Sequence, residues 1–243
     1  MLFSVITITF NAEKFLENTL VSVASQVGSS WEHLLWDGGS QDKTLEIAQA
    51  FDTVTILKGK DKGIADAMNK AALHAKGEYL IYLHADDLFA HPQSLLMIER
   101  TLRLHPWVKW LYGRAHIIDQ KGAIIGTTPY ETFSQKRLRK YNFITHPAVA
   151  VSRALFHEVG GFQENLRYCM DYDLWLRLCA LSQPFAIPAL LACFRQHDQS
   201  LSTSEPLRVA DEAYRVRNCY LTSYYERFRS YKTWKRRRRQ IDI

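Results

Sequence analysis

Asp86 and Asp87 stand side by side at the end of an apolar run, Tyr79–Leu83, and Leu88 and Phe89 follow at once. Neighbouring carboxylates raise the cost of ionising one another. A divalent cation with oxygen ligands removes that repulsion, and Mg²⁺ or Mn²⁺ commonly links a couple of carboxylates to substrate phosphates. The pair therefore reads as a metal–diphosphate site. The plainer reading is that one Asp caps the next helix while the other is solvated. A further acid, Asp37, closes the run Trp31–Trp36 ahead of Gly38-Gly39-Ser40. Glycines let the backbone approach a ligand closely, so Asp37 can accept hydrogen bonds from a nucleobase N–H or a ribose hydroxyl. It can equally hold its own turn through an Asx hydrogen bond. No GxGxxG is present, which removes the main support for a dinucleotide-dependent dehydrogenase. No GxxxxGK[ST] is present either, which excludes a P-loop.

The elements that must position these acids alternate. Phe3–Phe10 is strand-like, Glu13–Gln26 carries apolar residues at helical spacing, and Trp31–Trp36 is a second strand. Lys43–Phe51 follows as a helix with Ser40 or Asp42 as its N-cap, then strand Val54–Leu57, helix Gly63–Ala75 and strand Tyr79–Leu83. The order β-α-β-α-β-α-β predicts an α/β fold with a mostly parallel sheet flanked by helices. In such sheets ligands lie beyond the carboxyl ends of the strands, where Asn11, Asp37 and Asp86-Asp87 all fall. The second half is less regular. Helices are expected at Gln93–His105, Ser152–Val159 and Asp171–Leu181. Strands are expected at Trp107–Ile118, Ala123–Thr127 and Phe185–Phe194. Pro206 opens a long helix on which Val209, Ala213, Val216, Tyr220, Tyr224, Phe228, Tyr231 and Trp234 recur every three or four residues. The expected organisation is a main domain over residues 1–203, with halves 1–90 and 91–203, and a helical extension over 204–243.

Bulk properties narrow the class. At 243 residues, 47% hydrophobic and 23% charged, the chain suits one large globular domain with an appendage. Its four cysteines form no CxxC pair, so a reduced, intracellular protein is expected rather than a disulfide framework or a zinc site. The first residues, MLFSVITITF, lack a basic leader region and read as a strand. No apolar stretch nears the roughly 18–20 residues that span a bilayer. Much of the net charge of +6 lies in "RFRSYKTWKRRRRQ". With aromatics along one face, this end suits docking beside anionic headgroups, or packing on its own domain with a solvated basic tip. Nucleic acid is not an expected partner, since no reader module accompanies the tail.

Six stretches, "SVITITFNAEKFLENTLVSVASQ", "DGGSQDKT", "DKGIADAMNKA", "KGEYLIYLHADD", "GGF" and "DYDLWLRL", occur in one order over about residues 3–200 and together resemble the family 2 glycosyltransferases. The resemblance implies the A-type nucleotide-sugar fold and inverting transfer from a nucleotide-diphospho-sugar, commonly a UDP-sugar. It implies that Thr9, Glu13, Asp37, Asp61 and Lys62 surround the base and ribose. Asp86 would touch the ribose and, with Asp87, hold Mg²⁺ or Mn²⁺ on the diphosphate. His84 stands where the family often has Asn or Asp, and reads as a packed strand-end histidine. The segment "FRQHDQSLS" resembles the family's Arg-x-His motif, so Arg195 would offset diphosphate charge and His197 would join the metal or a phosphate. His146-Pro147 would line the acceptor side.

Asp171 matches the family's catalytic base, although Met170 replaces the usual preceding Glu. A free Asp, with a pKa of about 3.9, is too acidic to deprotonate an alcohol beforehand. It acts in the transition state, aided by burial and orientation. Asp173 lies two positions on, on a different helix face, and reads as a cap or salt-bridge residue. The resemblance, together with the basic tail, implies a glycan or lipid-linked glycan acceptor in surface polysaccharide synthesis, met in the cytoplasm at the inner membrane face. Two rivals remain open at this point. A sugar nucleotidyltransferase would need a basic Gly-rich loop after its first strand, which "TFNAEKF" does not supply; a non-catalytic nucleotide-sugar-binding protein would have no use for Asp171.

Overall fold

The structure is a computed structural model that describes residues 1–241. Its first half follows the alternation in the sequence: β1 (Phe3–Thr9), α1 (Leu16–Ala24), β2 (Trp31–Asp37), α2 (Thr44–Gln49), β3 (Val54–Lys58), α3 (Ile64–Leu73) and β4 (Tyr79–Tyr82). Of the two candidate caps for α2, Asp42 accepts the backbone N–H of Thr44 at 3.0 Å, while Ser40 turns away to Asp37. The chain continues through β5 (Leu88–Phe89), α4 (Ser94–Leu104), β6 (Trp110–Ile118), β7 (Ile124–Thr127), α5 (Gln135–Leu138), β8 (Val149–Ser152), α6 (Arg153–Glu158), α7 (Met170–Leu181) and β9 (Phe185–Arg195). It ends in α8 (Leu201–Ser204), α9 (Pro206–Cys219) and α10 (Tyr224–Ile241).

The strands form one sheet in the order β3-β2-β1-β4-β8-β6-β9-β5, with β7 as a hairpin partner on β6. The long registers are parallel: β1 with β2 and β4, β2 with β3, and β6 with β9. The antiparallel joins, including β4 to β8 and β6 to β8, are short. Alternation along the strands sends successive side chains to opposite faces. Ile6, Leu80 and Trp110 face a core built with α3, α6 and α7, whereas Val5, Ile81 and Leu111 face α4 and Val23 of α1. Both faces are covered, as a largely parallel sheet requires.

Two details depart from the sequence reading. The two-residue strand β5 pairs with β9 immediately after the acidic doublet, so Asp86 and Asp87 occupy a tight connection between two strands of one sheet. The C-terminal helical extension is present, but its expected single run is divided after Cys219. Ser223 and Glu226 form a reciprocal capping box, with Glu226 N–H donating to Ser223 Oγ at 3.1 Å and Ser223 N–H to the Glu226 carboxylate at 3.4 Å. Helix α10 therefore starts anew and folds back on α9. Arg217 donates to Ser230 Oγ at 2.7 Å, Trp234 Nε1 donates to Asp211 at 2.6 Å, and the Trp234 ring stacks on Tyr214.

Candidate active site

A cleft of about 960 Å³ opens beyond the carboxyl ends of β1 and β4. Thr9, Asp61, Asp86, Asp87, Asp171 and His197 line it. Glu13, Asp37, Lys62 and Arg195 are not among its lining residues.

On the β1–β2 side, the acids mostly hold backbone. Asp37 is 2% exposed; one oxygen accepts the N–H groups of Gly39 and Ser40 at 3.0 Å, and the other accepts Ser40 Oγ at 2.5 Å and Thr9 Oγ1 at 3.1 Å. This is the Asx-turn arrangement, and it keeps both carboxylate oxygens engaged within the loop. Asn11, at φ 50°, ties the same loop by accepting Gln41 N–H at 2.8 Å. Glu13 is exposed and accepts Lys43 N–H at 2.9 Å, at the head of α2. Asp61 reaches the cleft, fixed by Trp36 Nε1 at 3.1 Å and Gly63 N–H at 3.1 Å. A Cβ on Gly38 would lie 2.7 Å from Asp61 Oδ2, so glycine is what lets this carboxylate close over the β2 loop. The Lys62 ammonium is exposed and lies 3.7 Å from Glu164.

At the end of β4 the two acids have different surroundings. Asp86 Oδ2 is 2.9 Å from His197 Nε2. Asp87 is 1% exposed; its Oδ1 accepts Arg195 N–H at 3.0 Å, and its Oδ2 is buried without a partner. Burial, and next the Asp86 charge, push the Asp87 carboxyl well above its usual range. Arg195 is buried beneath this turn. Its guanidinium donates to the carbonyls of Asp86 at 2.9 Å and Asp119 at 3.1 Å and lies 4.7 Å from the Phe15 ring. These bonds hold the acidic turn in place and leave the Arg195 side chain out of the cleft. Among the described residues no preassembled group of three or more His, Cys, Asp or Glu could hold a metal ion. The donors present nevertheless fit a hard divalent cation: an orphaned carboxylate oxygen on Asp87 and the neighbouring Asp86 carboxylate, whose Oδ2 lies on His197 Nε2.

Across the cleft, Asp171 sits in the first turn of α7, half-buried, accepting Asn142 Nδ2 at 3.0 Å and Tyr172 N–H at 2.6 Å. Burial raises its carboxyl to about 6, against the pull of those hydrogen bonds. Asp173 turns away: it pairs with Arg177 Nε at 2.8 Å and accepts the Tyr220 hydroxyl at 2.8 Å. His84 and His146 stack at 4.8 Å on the cleft wall, and burial lowers the pKa of both. The structure adds residues that the sequence reading misses. Arg167 and Tyr168 line the cleft just ahead of the "CMDYDLWL" stretch, and Asn142 orients Asp171 from a loop with no periodic signal. A second groove of about 400 Å³, between Tyr168 and the α9–α10 pair, shares Tyr168 with the cleft.

A mostly parallel sheet flanked by helices, with an acidic turn at its ligand edge, is the architecture of the A-type glycosyltransferase fold. Residues 4–160 match the model of glycosyl transferase family 2. A PGL/p-HBAD biosynthesis glycosyltransferase of Mycobacterium bovis is 30% identical over 198 residues, which cover 78% of this chain and 72% of that protein. An uncharacterized glycosyltransferase of Haemophilus influenzae is 27% identical over 190 residues, 76% of this chain and 64% of that one. Among solved structures, S. aureus TarS 1-349 in complex with UDP-GlcNAc aligns with a TM-score of 0.74 at 17% identity, covering 95% of this chain and 69% of that one. The mannosyltransferase PcManGT from Pyrobaculum calidifontis, in complex with GDP-Man and Mn²⁺, aligns with a TM-score of 0.65 at 17% identity over 88% of this chain. At such identities these likenesses establish the fold. The chain spans 62% of PcManGT and 65% of another TarS 1-349 crystal structure. This chain belongs to glycosyl transferase family 2. The family match ends ahead of α7 and α9, so the roles of those helices rest on their geometry here.

Proposed function

We propose that this protein transfers a sugar, with inversion, from a nucleotide-diphospho-sugar to a hydroxyl of a glycan or lipid-linked glycan in surface polysaccharide synthesis, with a UDP-sugar as donor. One observation carries the reading. Asp171, with its carboxyl raised to about 6, borders the same cleft as the Asp86–Asp87 turn. Inversion requires the acceptor hydroxyl to attack in line with the departing diphosphate. In this reading Asp171 takes the hydroxyl proton as the new bond forms, and Asn142 aims its carboxylate. Asp86, Asp87 and His197 would hold a divalent cation, Mg²⁺ or Mn²⁺, and that ion supplies charge neutralisation for the leaving diphosphate. Thr9 and Asp61 offer polar contacts for the nucleoside on the β1 side. Asp37, Glu13, Lys62 and Arg195 contribute through the loops and turn they brace. The UDP-GlcNAc bound by TarS supports a UDP donor, and the Mn²⁺ bound by PcManGT supports the ion.

The reading is tested by a thermal-shift screen of UDP-GlcNAc, UDP-glucose, UDP-galactose and GDP-mannose, each with Mn²⁺ and with EDTA. Stabilisation grows with free ligand relative to its Kd. One UDP-sugar is expected to raise Tm by several degrees with Mn²⁺ and much less with EDTA. No shift from any donor in either condition rejects the donor assignment.

The site of action proposed here is the inner face of the cell membrane. No helix of the described residues is long and apolar enough to cross a membrane. Helix α10 instead exposes Tyr224 at 85% and Tyr225 at 65%, along with Phe228 and Tyr231, and it carries a dense basic end. Basic residues near an anionic surface contribute about 1 kcal/mol each, and aromatic rings anchor at the headgroup level. The protein is expected to float with phosphatidylglycerol vesicles and not with phosphatidylcholine vesicles. Tyr225→Ser with Phe228→Ser should weaken flotation severalfold. A wild-type protein that stays in the soluble fraction with both vesicle types overturns the docking reading.

A further inference from the structure

Glu212, on α9, is 3% exposed; its carboxylate points mainly at backbone N–H groups, with the Arg215 guanidinium at a longer 3.9 Å. It accepts the N–H groups of Tyr168 at 2.6 Å, Cys169 at 2.8 Å and Arg167 at 3.1 Å. Those donors precede the first turn of α7, where a helix leaves N–H groups without intrahelical partners. A Ser, Thr, Asp or Asn at the N-cap normally satisfies one of them. Here the N-cap residue is Cys169, whose side chain makes no such bond. A buried carboxylate from a helix some forty residues later instead holds the N-cap residue's own N–H and the two N–H groups ahead of it, through charge-assisted hydrogen bonds that compensate its own desolvation. The same partner grips α7 at two further points. Cys169 Sγ lies 3.7 Å from Val209 O, and the Tyr220 hydroxyl donates to Asp173 at 2.8 Å. Asp171 lies between these contacts, and Arg167 and Tyr168, whose N–H groups Glu212 holds, form one wall of the cleft.

We infer that Glu212 is a positioning residue for sugar transfer, setting the first turn of α7 and with it the Asp171 carboxylate and the Arg167–Tyr168 wall. The inference rests on Asp171 as the base. It makes α9 part of the active site rather than an appended anchor. Burial is the main cause of the raised Asp171 pKa, and the Glu212 charge adds a smaller push in the same direction. The other groups around Asp171 are the neutral Asn142, the Cys169 thiol and Tyr172 phenol, both of which burial pushes up, and Arg167 on the same cleft wall. Asp173 is paired with Arg177, and Arg217 is turned to Ser230.

Glu212→Gln keeps the size and one acceptor oxygen, but it removes the charge and turns an amide N–H₂ toward a backbone N–H. Two readouts test it. Release of UDP from the UDP-sugar that gives the thermal shift should show kcat lowered about ten- to a hundredfold, with KM for the donor within about twofold. In protein labelled with ¹³C at Asp carboxyls, the Asp171 resonance, assigned by its loss in Asp171→Asn, should titrate at a lower pH in Glu212→Gln than in the wild type. A merely structural Glu212 would lower Tm while leaving kcat per folded molecule and the Asp171 midpoint unchanged, and that result overturns the inference. Glu212→Ala should lower kcat further; if it does not fold, the glutamine variant still decides. Full activity in Asp171→Asn would sink the base assignment instead, and the ¹³C titration would still report whether Glu212 acts on Asp171.

Discussion

Asp171→Asn is expected to lower the transfer rate by about a hundred- to ten-thousandfold, the usual worth of a positioned general base. The side chain keeps its shape and can still meet Asn142, so donor affinity should stay within about twofold. The pH profile is the sharper measurement. With a carboxyl at about 6, the wild-type rate should fall as pH drops through that value, and the residual rate of the variant should lose this limb. Stability should move the opposite way. The folded-state pKa lies above the ordinary aspartate value of 3.8, so the folded chain binds the proton more tightly than the unfolded chain does. The stability that Asp171 contributes is therefore present in acid and lost as pH rises through about 6. The asparagine variant should match the wild type near pH 4 and have a Tm equal to or above it at pH 8. A variant that retains the wild-type rate and the same acid limb removes Asp171 from the mechanism.

Asp87→Asn is expected to cost at least about a hundredfold in rate, in line with losing one electrostatic partner of a charged transition state. It should also abolish the Mn²⁺-dependent part of the donor thermal shift. Without metal the effect on stability reverses. A buried carboxylate with an unpartnered oxygen beside a second acid burdens the metal-free fold, so its amide should melt at or above the wild-type temperature. Asp86→Ala should lose the Mn²⁺ response too, and it also frees the His197 imidazole. Calorimetric titration of Mn²⁺ with UDP into each protein checks both. Equal donor affinity and equal turnover in EDTA and in Mn²⁺ would remove the ion from the reaction.

Much of the scaffold is legible from residue pattern because it is locally encoded. The strands β1 to β4 are short Val-, Ile- and Leu-rich runs separated by amphipathic helices, and each connects to a near neighbour in space. The second side is harder because its pairings are distant. β5 is two residues long and becomes a strand only through β9, about a hundred residues later. The periodicity from Val209 to Trp234 continues across the break at Leu221–Ser223, although of its α10 members Trp234 packs back on α9 while Tyr224, Phe228 and Tyr231 stay exposed. Only the capping box Ser223-x-x-Glu226 marks the break in sequence.

The candidate site divides in the same way. Strand ends place Asp37, Asp61 and Asp86-Asp87 in one region, and that much follows from strand order. Which acid faces the cleft does not, since a loop-holding carboxylate and a ligand-holding one look alike in sequence. Asp37 has each oxygen doubly engaged by backbone, Ser40 and Thr9 and lies off the cleft, whereas Asp61, with one bond to each oxygen from Trp36 and Gly63, lines it. Arg195 shows the same limit. A basic residue near a diphosphate site suggests a phosphate contact, yet this side chain is spent on the carbonyls of Asp86 and Asp119. Glu212 leaves no local trace, because its partners lie far upstream.

The position of β9, between β6 and β5, has a consequence for biosynthesis. The backbone of Arg195 at its end holds Asp87, and the Arg195 guanidinium holds the carbonyl of Asp86. A nascent chain that has emerged only as far as β8 already possesses its first four strands but has nothing to fasten the acidic turn. The acidic turn is therefore fastened late in translation: a chain that ends ahead of β9 has β1 to β8 in hand and lacks the strand that joins β6 to β5 and ties down Asp86 and Asp87.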